Sequence, residues 1–343
     1  MKQAMPHLVG NTALKERLCR DILASTLSHA VILEGAKGTG KHTVARMCAA
    51  ALACSQKENA ALPIPCLSCA DCRKVLEDKS PDVTVLGCEG KATIGVDTVR
   101  FLREDVPVLP NDLDFKVYVI EDADKMTVQA QNALLLTLEE PPAFVRFFLL
   151  CENAGLLLET IRSRAPVLRT EPIKREDMDA YLTSHDSRAA QMKLSNPKEY
   201  AELLLVAGNG IGRALELLDP KVFAPIKENR ALAAELVIAA VRQKGASRIL
   251  PLLSRFSNKR DLLRDQLLLL SQAVRDLVLL KKSEEITLTF WSTPNEAIEL
   301  CDSTSLGFLY RFETAVRRAL DENARNANVR LMLIRMVSSL ELL

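Results

Sequence analysis

Four cysteines carry the clearest chemistry in the sequence. Cys54, Cys66, Cys69 and Cys72 follow the spacing C-x11-C-x2-C-x2-C. Four thiolates so spaced can close a tetrahedral shell around Zn²⁺, each C-x2-C pair suiting one tight turn. The same ligands could hold an iron–sulfur cluster. Four unrelated core thiols would leave the clustering without a reason. Cys19, Cys48, Cys88, Cys151 and Cys301 stand apart and read as small core residues. Met1 to Gly10 has no basic stretch followed by an apolar one, so no export signal is read. Thiols or metal ligands in the cytoplasm are therefore expected rather than disulfides.

A second constellation is Gly35-Ala-Lys-Gly-Thr-Gly-Lys-His-Thr43. Gly35, Gly38 and Gly40 let the backbone wrap an anion with successive N–H groups, and Lys41 would reach the β- and γ-phosphates. An apolar strand before the loop and a helix after it separate this reading from an ordinary glycine-rich turn. The residue after Lys41, where a Ser or Thr hydroxyl would ligate Mg²⁺, is His42. Imidazole is a poor donor for a hard cation that wants oxygen. Thr43 comes one residue late, and a helix turns its side chain elsewhere.

The third is Val117-Tyr-Val-Ile-Glu-Asp-Ala-Asp124, an apolar strand ending in carboxylates. ATPases with such loops place a Mg²⁺-binding Asp and then a water-activating Glu there. Glu121 and Asp122 stand in the reverse order, so each carboxylate is a methylene too long or too short. Positioning dominates phosphoryl transfer, and a shift near 1 Å can cost on the order of 10²-fold. With His42, this predicts weak or absent hydrolysis.

The elements that would position these groups alternate. His29–Gly35, Asp82–Leu86, Lys116–Glu121 and Val145–Cys151 read as strands, with Pro166–Thr170 a shorter candidate. Helical patterns lie between them at Thr43–Leu52, Val96–Val106 and Thr127–Glu140, which implies a parallel sheet covered on both faces. After Pro172 strand signals stop. The expected domains are 1–170, a small helical lid at 171–220 broken by Gly208–Gly212, and a helical domain at 221–343. Glu235 breaks the apolar run Leu232–Val241, and Arg275 and Asp276 break Leu267–Leu280, so neither is a membrane span. Lys and Arg (45) balance Asp and Glu (44), so nucleic-acid contact would need a local patch. Arg255, Lys259, Arg260 and Arg264 read as solvated helix faces, and His7, His29 and His185 lack companions that suggest chemistry.

Three segments carry a resemblance. Lys116–Pro142 (KVYVIEDADKMTVQAQNALLLTLEEPP), Leu158–Ala165 (LETIRSRA, with Ala165 in place of a Cys) and Asn323–Leu331 (NARNANVRL) resemble the bacterial DNA polymerase III clamp-loader family. The resemblance implies an α/β P-loop AAA+ domain with a five-stranded parallel sheet, a small zinc module at 54–72, a helical lid and an all-α C-terminal collar. It favours zinc over iron–sulfur and implies ATP or ADP with Mg²⁺ at a degenerate site. It implies that Arg164 acts in trans on a neighbouring subunit's ATP, that Arg213 senses nucleotide from the lid, and that Val9-Gly10-Asn11 lies near the adenine. From the residues alone Arg164 reads as a solvated loop arginine, and Arg213 equally well as half of a lid-helix salt bridge. His42, Glu121-Asp122 and Cys151-Glu152-Asn153 resemble the stator-like delta-prime branch. Its implied partners are gamma/tau and delta subunits in a hetero-oligomer, with the sliding clamp and primer-template DNA reached through the complex. Two alternatives stay open: a gamma/tau-type ATPase motor, and a stand-alone zinc-bearing nucleic-acid binder on the same fold.

Overall fold

Runs rich in β-branched and aromatic residues form five strands in the computed structural model, which describes residues 4–6, 8–88, 90, 92–242, 245–283 and 288–340. His7 lies outside them. The strands are β1 (Ala30–Glu34), β2 (Val83–Leu86), β3 (Lys116–Ile120), β4 (Val145–Cys151) and β5 (Val167–Arg169). They pair in parallel in the order β2-β3-β4-β1-β5, with Ala30 opposite Phe147, Ile32 opposite Val167, and Ile120 opposite Leu149. The central strands are buried along almost their whole length, whereas the edge strands β2 and β5 keep exposed positions at Val85 and Val167. That contrast is what a sheet covered on both faces requires.

Alternate side chains feed two separate cores. Val31, Leu33, Val117, Val119, Phe148 and Leu150 pack with α1 (Thr12–Leu23), α2 (Lys41–Ala53) and α3 (Ala70–Leu76). Ala30, Ile32, Tyr118, Ile120, Phe147 and Leu149 pack with α4 (Val96–Asp105), α5 (Val128–Glu139) and α6 (Glu159–Arg162). The period-2 alternation of a strand thus builds two layers from one sheet. Because all pairings are parallel, the loops after β1, β3 and β4 leave from one edge, where ligands of open α/β sheets bind. Asp82, just before β2, is buried and accepts from the N–H groups of Asn111, Asp112 and Leu113 at 2.7, 2.7 and 2.9 Å.

The chain divides into two compact units: Met1–Tyr181 with Asn209–Gly212, and Leu182–Gly208 with Arg213–Leu343. α7 (Arg175–His185) crosses the first boundary. The described part of the second unit is helical: α8 (Ser187–Ser195), α9 (Pro197–Ala207), α10 (Ile211–Leu217, crossing the boundary at Arg213), α11 (Pro220–Val241), α12 (Ala246–Ser254), α13 (Arg260–Lys282), α14 (Pro294–Asp302), α15 (Leu306–Ala324) and α16 (Val329–Ser338). Local chemistry starts several of them. Asn196 and Asp219 cap α9 and α11 with Pro at the first helical position, and Ser305 and Asn328 cap α15 and α16. Leu236, Leu267, Leu270, Leu277, Leu309 and Val316 lie in one continuous core. The Asn323–Leu331 stretch has structural work here. Asn323 exchanges hydrogen bonds with Arg260 at 3.1 and 3.2 Å, which pins the start of α13 to the end of α15. Among the described residues no helix is long and apolar enough to cross a membrane.

Candidate nucleotide site and cysteine cluster

The glycine loop is held by side chains remote in sequence. Gly35 N donates to Cys151 O at 3.1 Å, and a Cβ at Gly35 would lie 2.0 Å from Thr170 Oγ1. Only glycine fits there. Thr39 is buried, 2.9 Å from Ala36 O and 2.7 Å from Thr170 Oγ1, so its hydroxyl closes the loop from within. Gly38 and Gly40 both have φ +85°, a region costly for other residues. A Cβ on Gly38 would also come within 2.9 Å of Gly210 Cα. α2 starts without a capping side chain and without an acidic residue in its first turn. Its positive end and unpaired N–H groups therefore face the loop as a seat for an anion. Lys41 Nζ donates to Gly35 O at 2.5 Å and Ala36 O at 3.0 Å. Burial holds its ammonium below the usual lysine range, against the opposing pull of Glu152, Asp124 and Asp122. Asn11 is buried with φ 53°; its Oδ1 accepts from Glu171 N at 2.6 Å, and its Nδ2 finds no partner among the described residues.

The carboxylates divide their tasks differently from the sequence expectation. His42 Nε2 lies 3.4 Å from Glu121 Oε1, so the first turn of α2 and the end of β3 meet directly. Thr43 is exposed. Asp122 sits at φ 50° and accepts from Lys125 Nζ at 2.9 Å. Asp124, which the sequence reading left without a role, accepts from Glu152 N at 3.0 Å and Asn153 N at 3.2 Å, tying the loop after β4 to the loop after β3. Glu34 does the same between β4 and β5, accepting from Ala154 N and Arg169 Nε at 2.9 and 2.8 Å. Its carboxyl is held below the usual range first by Arg169 and then by Ala154 N–H.

Each of the two arginines singled out in the sequence pairs with a carboxylate close by. Arg164 donates to Thr160 O at 3.0 Å and to Glu139 Oε1 at 2.8 Å, at the end of α5. Arg213 pairs with Glu216 at 2.9 Å, one turn along α10 in the second unit.

The cysteines converge. Cys54 follows α2, Cys69 caps α3, and the four sulfurs of Cys54, Cys66, Cys69 and Cys72 all lie within 4.8 Å of one another. Tetrahedral bonds of about 2.3 Å to zinc would put them about 3.8 Å apart; Cys66 and Cys72 are already at 3.9 Å. Cys69 N donates to Cys66 Sγ and Cys72 N to Cys69 Sγ, both at 3.4 Å, the backbone pattern that stabilises ligand thiolates. Burial alone would raise the Cys66 thiol, but N–H groups of Cys69 and Ser68 outweigh it and bring it to about 6. The donor set fits a thiolate-binding metal. The module is stitched to the rest of its unit: Met5 N donates to Ile64 O at 2.8 Å, and Cys72 Sγ lies 3.5 Å from Ala50 O. Cys19, Cys48, Cys151 and Cys301 are buried thiols, and Cys88 is partly exposed.

The family model described as DNA polymerase III, delta subunit, matches residues 10–174. The delta' subunit of Bacillus subtilis DNA polymerase III is 31% identical over 228 residues, covering 66% of this chain and 64% of that protein. The tau subunit of the same organism is 30% identical over 221 residues, covering 64% of this chain and only 38% of that protein. Over about half of its length or more, the chain is therefore similar to subunits of bacterial DNA polymerase III. Its fold is also that of a DNA polymerase III gamma subunit-related protein from Thermotoga maritima (TM-score 0.50, 18% identity, 94% of this chain and 97% of that one). The chain thus spans less than two thirds of the length of these two sequence relatives.

The donors around the loop suit a phosphate anion but not Mg²⁺. The α2 terminus lacks a side-chain cap, the Asn11 amide has no partner among the described residues, and Lys41 rests its ammonium on Gly35 O and Ala36 O. Where the motif would call for a metal-binding hydroxyl, however, stands the imidazole of His42, 3.4 Å from Glu121. The nearby Thr39 hydroxyl is buried and spent on Ala36 and Thr170. Mg²⁺ demands near-octahedral oxygen donors.

Proposed function

We propose that this chain is a delta-prime subunit of a DNA polymerase III clamp loader, a stator-like member that assists ATP-driven loading of the sliding clamp onto primed DNA in the cytoplasm. The observation that carries the reading is the pairing of His42 with Glu121 where a motor subunit would join hydroxyl and carboxylate through Mg²⁺. A chain with that defect that still presents Arg164, partly exposed, suits a subunit that serves a neighbour's site rather than its own. The delta' relative, matched over similar shares of both chains, supports the same branch.

In this reading residues 1–170 form the AAA+ domain with a zinc module on Cys54, Cys66, Cys69 and Cys72. Residues 171–220 form the lid with Arg213, and 221–343 the collar through which gamma/tau and delta subunits assemble. Gly35, Gly38, Gly40 and Lys41 seat the phosphates of ATP or ADP. Bound nucleotide would supply anionic charge that orders the loop; the chain's own part is to bind and orient it. Arg164 would supply a guanidinium to the charge developing at the adjacent subunit's phosphoryl group.

The test is reconstitution. Purified chain mixed with gamma/tau and delta subunits should co-elute as one complex and be required for clamp loading. A gamma/tau-type motor, which the tau relative keeps in view, would instead hydrolyse ATP by itself at a rate abolished by Lys41→Ala. A chain that ignores the other subunits but binds DNA alone with a steep salt dependence would be a nucleic-acid binder.

A further inference from the structure

We propose that the glycine-loop site takes its nucleoside di- or triphosphate as the free anion, without a divalent cation, because the His42–Glu121 pair occupies the place of the ion. This rests on the reading of Gly35–Lys41 as a nucleotide site.

Three observations carry it. The two protein positions that would share an ion are in direct polar contact, His42 Nε2 to Glu121 Oε1 at 3.4 Å. A carboxylate facing an imidazole is matched without any metal, and the imidazole offers nitrogen where Mg²⁺ wants oxygen. Second, neighbouring oxygens are committed elsewhere. The Thr39 hydroxyl is buried between Ala36 O and Thr170 Oγ1, Asp122 pairs with Lys125, and Asp124 holds the N–H groups of Glu152 and Asn153. Third, anion binding at this loop does not depend on a metal. Lys41 and the uncapped start of a thirteen-residue helix supply positive charge and N–H donors. Glu121 is thereby turned from a metal ligand into the partner of His42. It no longer recruits the ion that a hydrolysing site uses to neutralise the transferring phosphoryl group.

The experiment is calorimetric titration of the full chain with ADP and with ATP, in metal-depleted buffer and in millimolar Mg²⁺. Resin-treated buffer replaces a chelator so that the cysteine cluster stays intact. We expect the two dissociation constants to agree within about twofold. His42→Thr restores the hydroxyl and frees Glu121, and should bind several-fold tighter with Mg²⁺ than without. Its side chain is about two-fifths exposed, so circular dichroism should show an unchanged fold. Binding by the unaltered chain that requires Mg²⁺ overturns this inference and leaves the nucleotide site standing. Binding strengthened by Mn²⁺ or Zn²⁺ also overturns it, since the pair would then be a ligand set for another ion. No binding under any condition, with Lys41→Ala indistinguishable from the unaltered chain, overturns the nucleotide reading and this inference with it.

Discussion

Arg164 Nη2 lies 2.8 Å from Glu139 Oε1, so the arginine that would serve a neighbouring subunit is tethered to the last residue of α5. Both side chains are substantially exposed, which limits the pair to about 0–1 kcal/mol. A tether this weak positions the guanidinium without locking it.

Arg164→Ala is therefore expected to leave thermal unfolding of the isolated chain nearly unchanged, within about 0.5 kcal/mol. In the reconstituted complex it should lower DNA- and clamp-stimulated ATPase. A trans arginine is worth roughly 10³-fold or more at its own site, diluted in the whole complex by sites that keep their own arginines. Arg162→Ala, two residues away, is the control. Equal ATPase and clamp loading by all three proteins would reduce Arg164 to a loop arginine.

Metal analysis of the purified chain should return about one zinc per molecule. Cys66→Ser should lose the metal and become sensitive to thiol reagents at Cys54, Cys69 and Cys72, whose sulfurs surround it. An unaltered, folded protein with no metal and four freely titrating thiols would contradict the zinc assignment.

The isolated chain should turn over ATP barely or not at all, read by phosphate release. His42→Thr combined with Glu121→Asp and Asp122→Glu should move turnover upward. A rate in the unaltered chain comparable to a working motor subunit, lost in Lys41→Ala, would refute the stator reading.

Asp82 gives a pH signature. Burial would raise its carboxyl, but the N–H groups of Asn111, Asp112 and Leu113 outweigh it and hold it below the usual range. A lowered folded-state value means stability present above the unfolded-state value of about 3.9 and lost as pH falls through the folded-state value. Asp82→Asn should thus cost on the order of 1–3 kcal/mol at neutral pH. In urea unfolding that cost should be retained at pH 5 and shrink below about pH 4. A cost that grows toward acid would contradict the assignment.

Much of the first unit was legible because its signals are local. Strand runs such as KVYVI, the glycines around Lys41 and the two C-x2-C pairs each declare themselves within a few residues. Glu121 and Asp122 were found as a pair, but their partners were not. That His42 meets Glu121, that Asp122 turns to Lys125, and that Asp124 rather than either neighbour holds the loop after β4 follows from which strands lie side by side. Periodicity carries no information about strand order. The contacts of Thr39 with Thr170 and of Gly38 with Gly210 were hidden for the same reason, since each joins segments more than a hundred residues apart. Asp124 could have been noticed as the third carboxylate of the Glu-Asp-Ala-Asp run.

The position of β1 in the sheet also sets a schedule for the growing polypeptide. β1 is the first strand made, yet both of its lateral neighbours, β4 and β5, are the last. At ribosomal speeds of about 5–20 residues per second, Val145 emerges on the order of ten seconds after Glu34. Throughout that interval Val31, Ile32 and Leu33 have no strand to pair with, and the glycine loop behind them hangs from an unsupported segment. Sheet closure around β1 is thus a late, long-range event during translation, and a chain truncated before Val145 presents its central strand as an unprotected apolar edge.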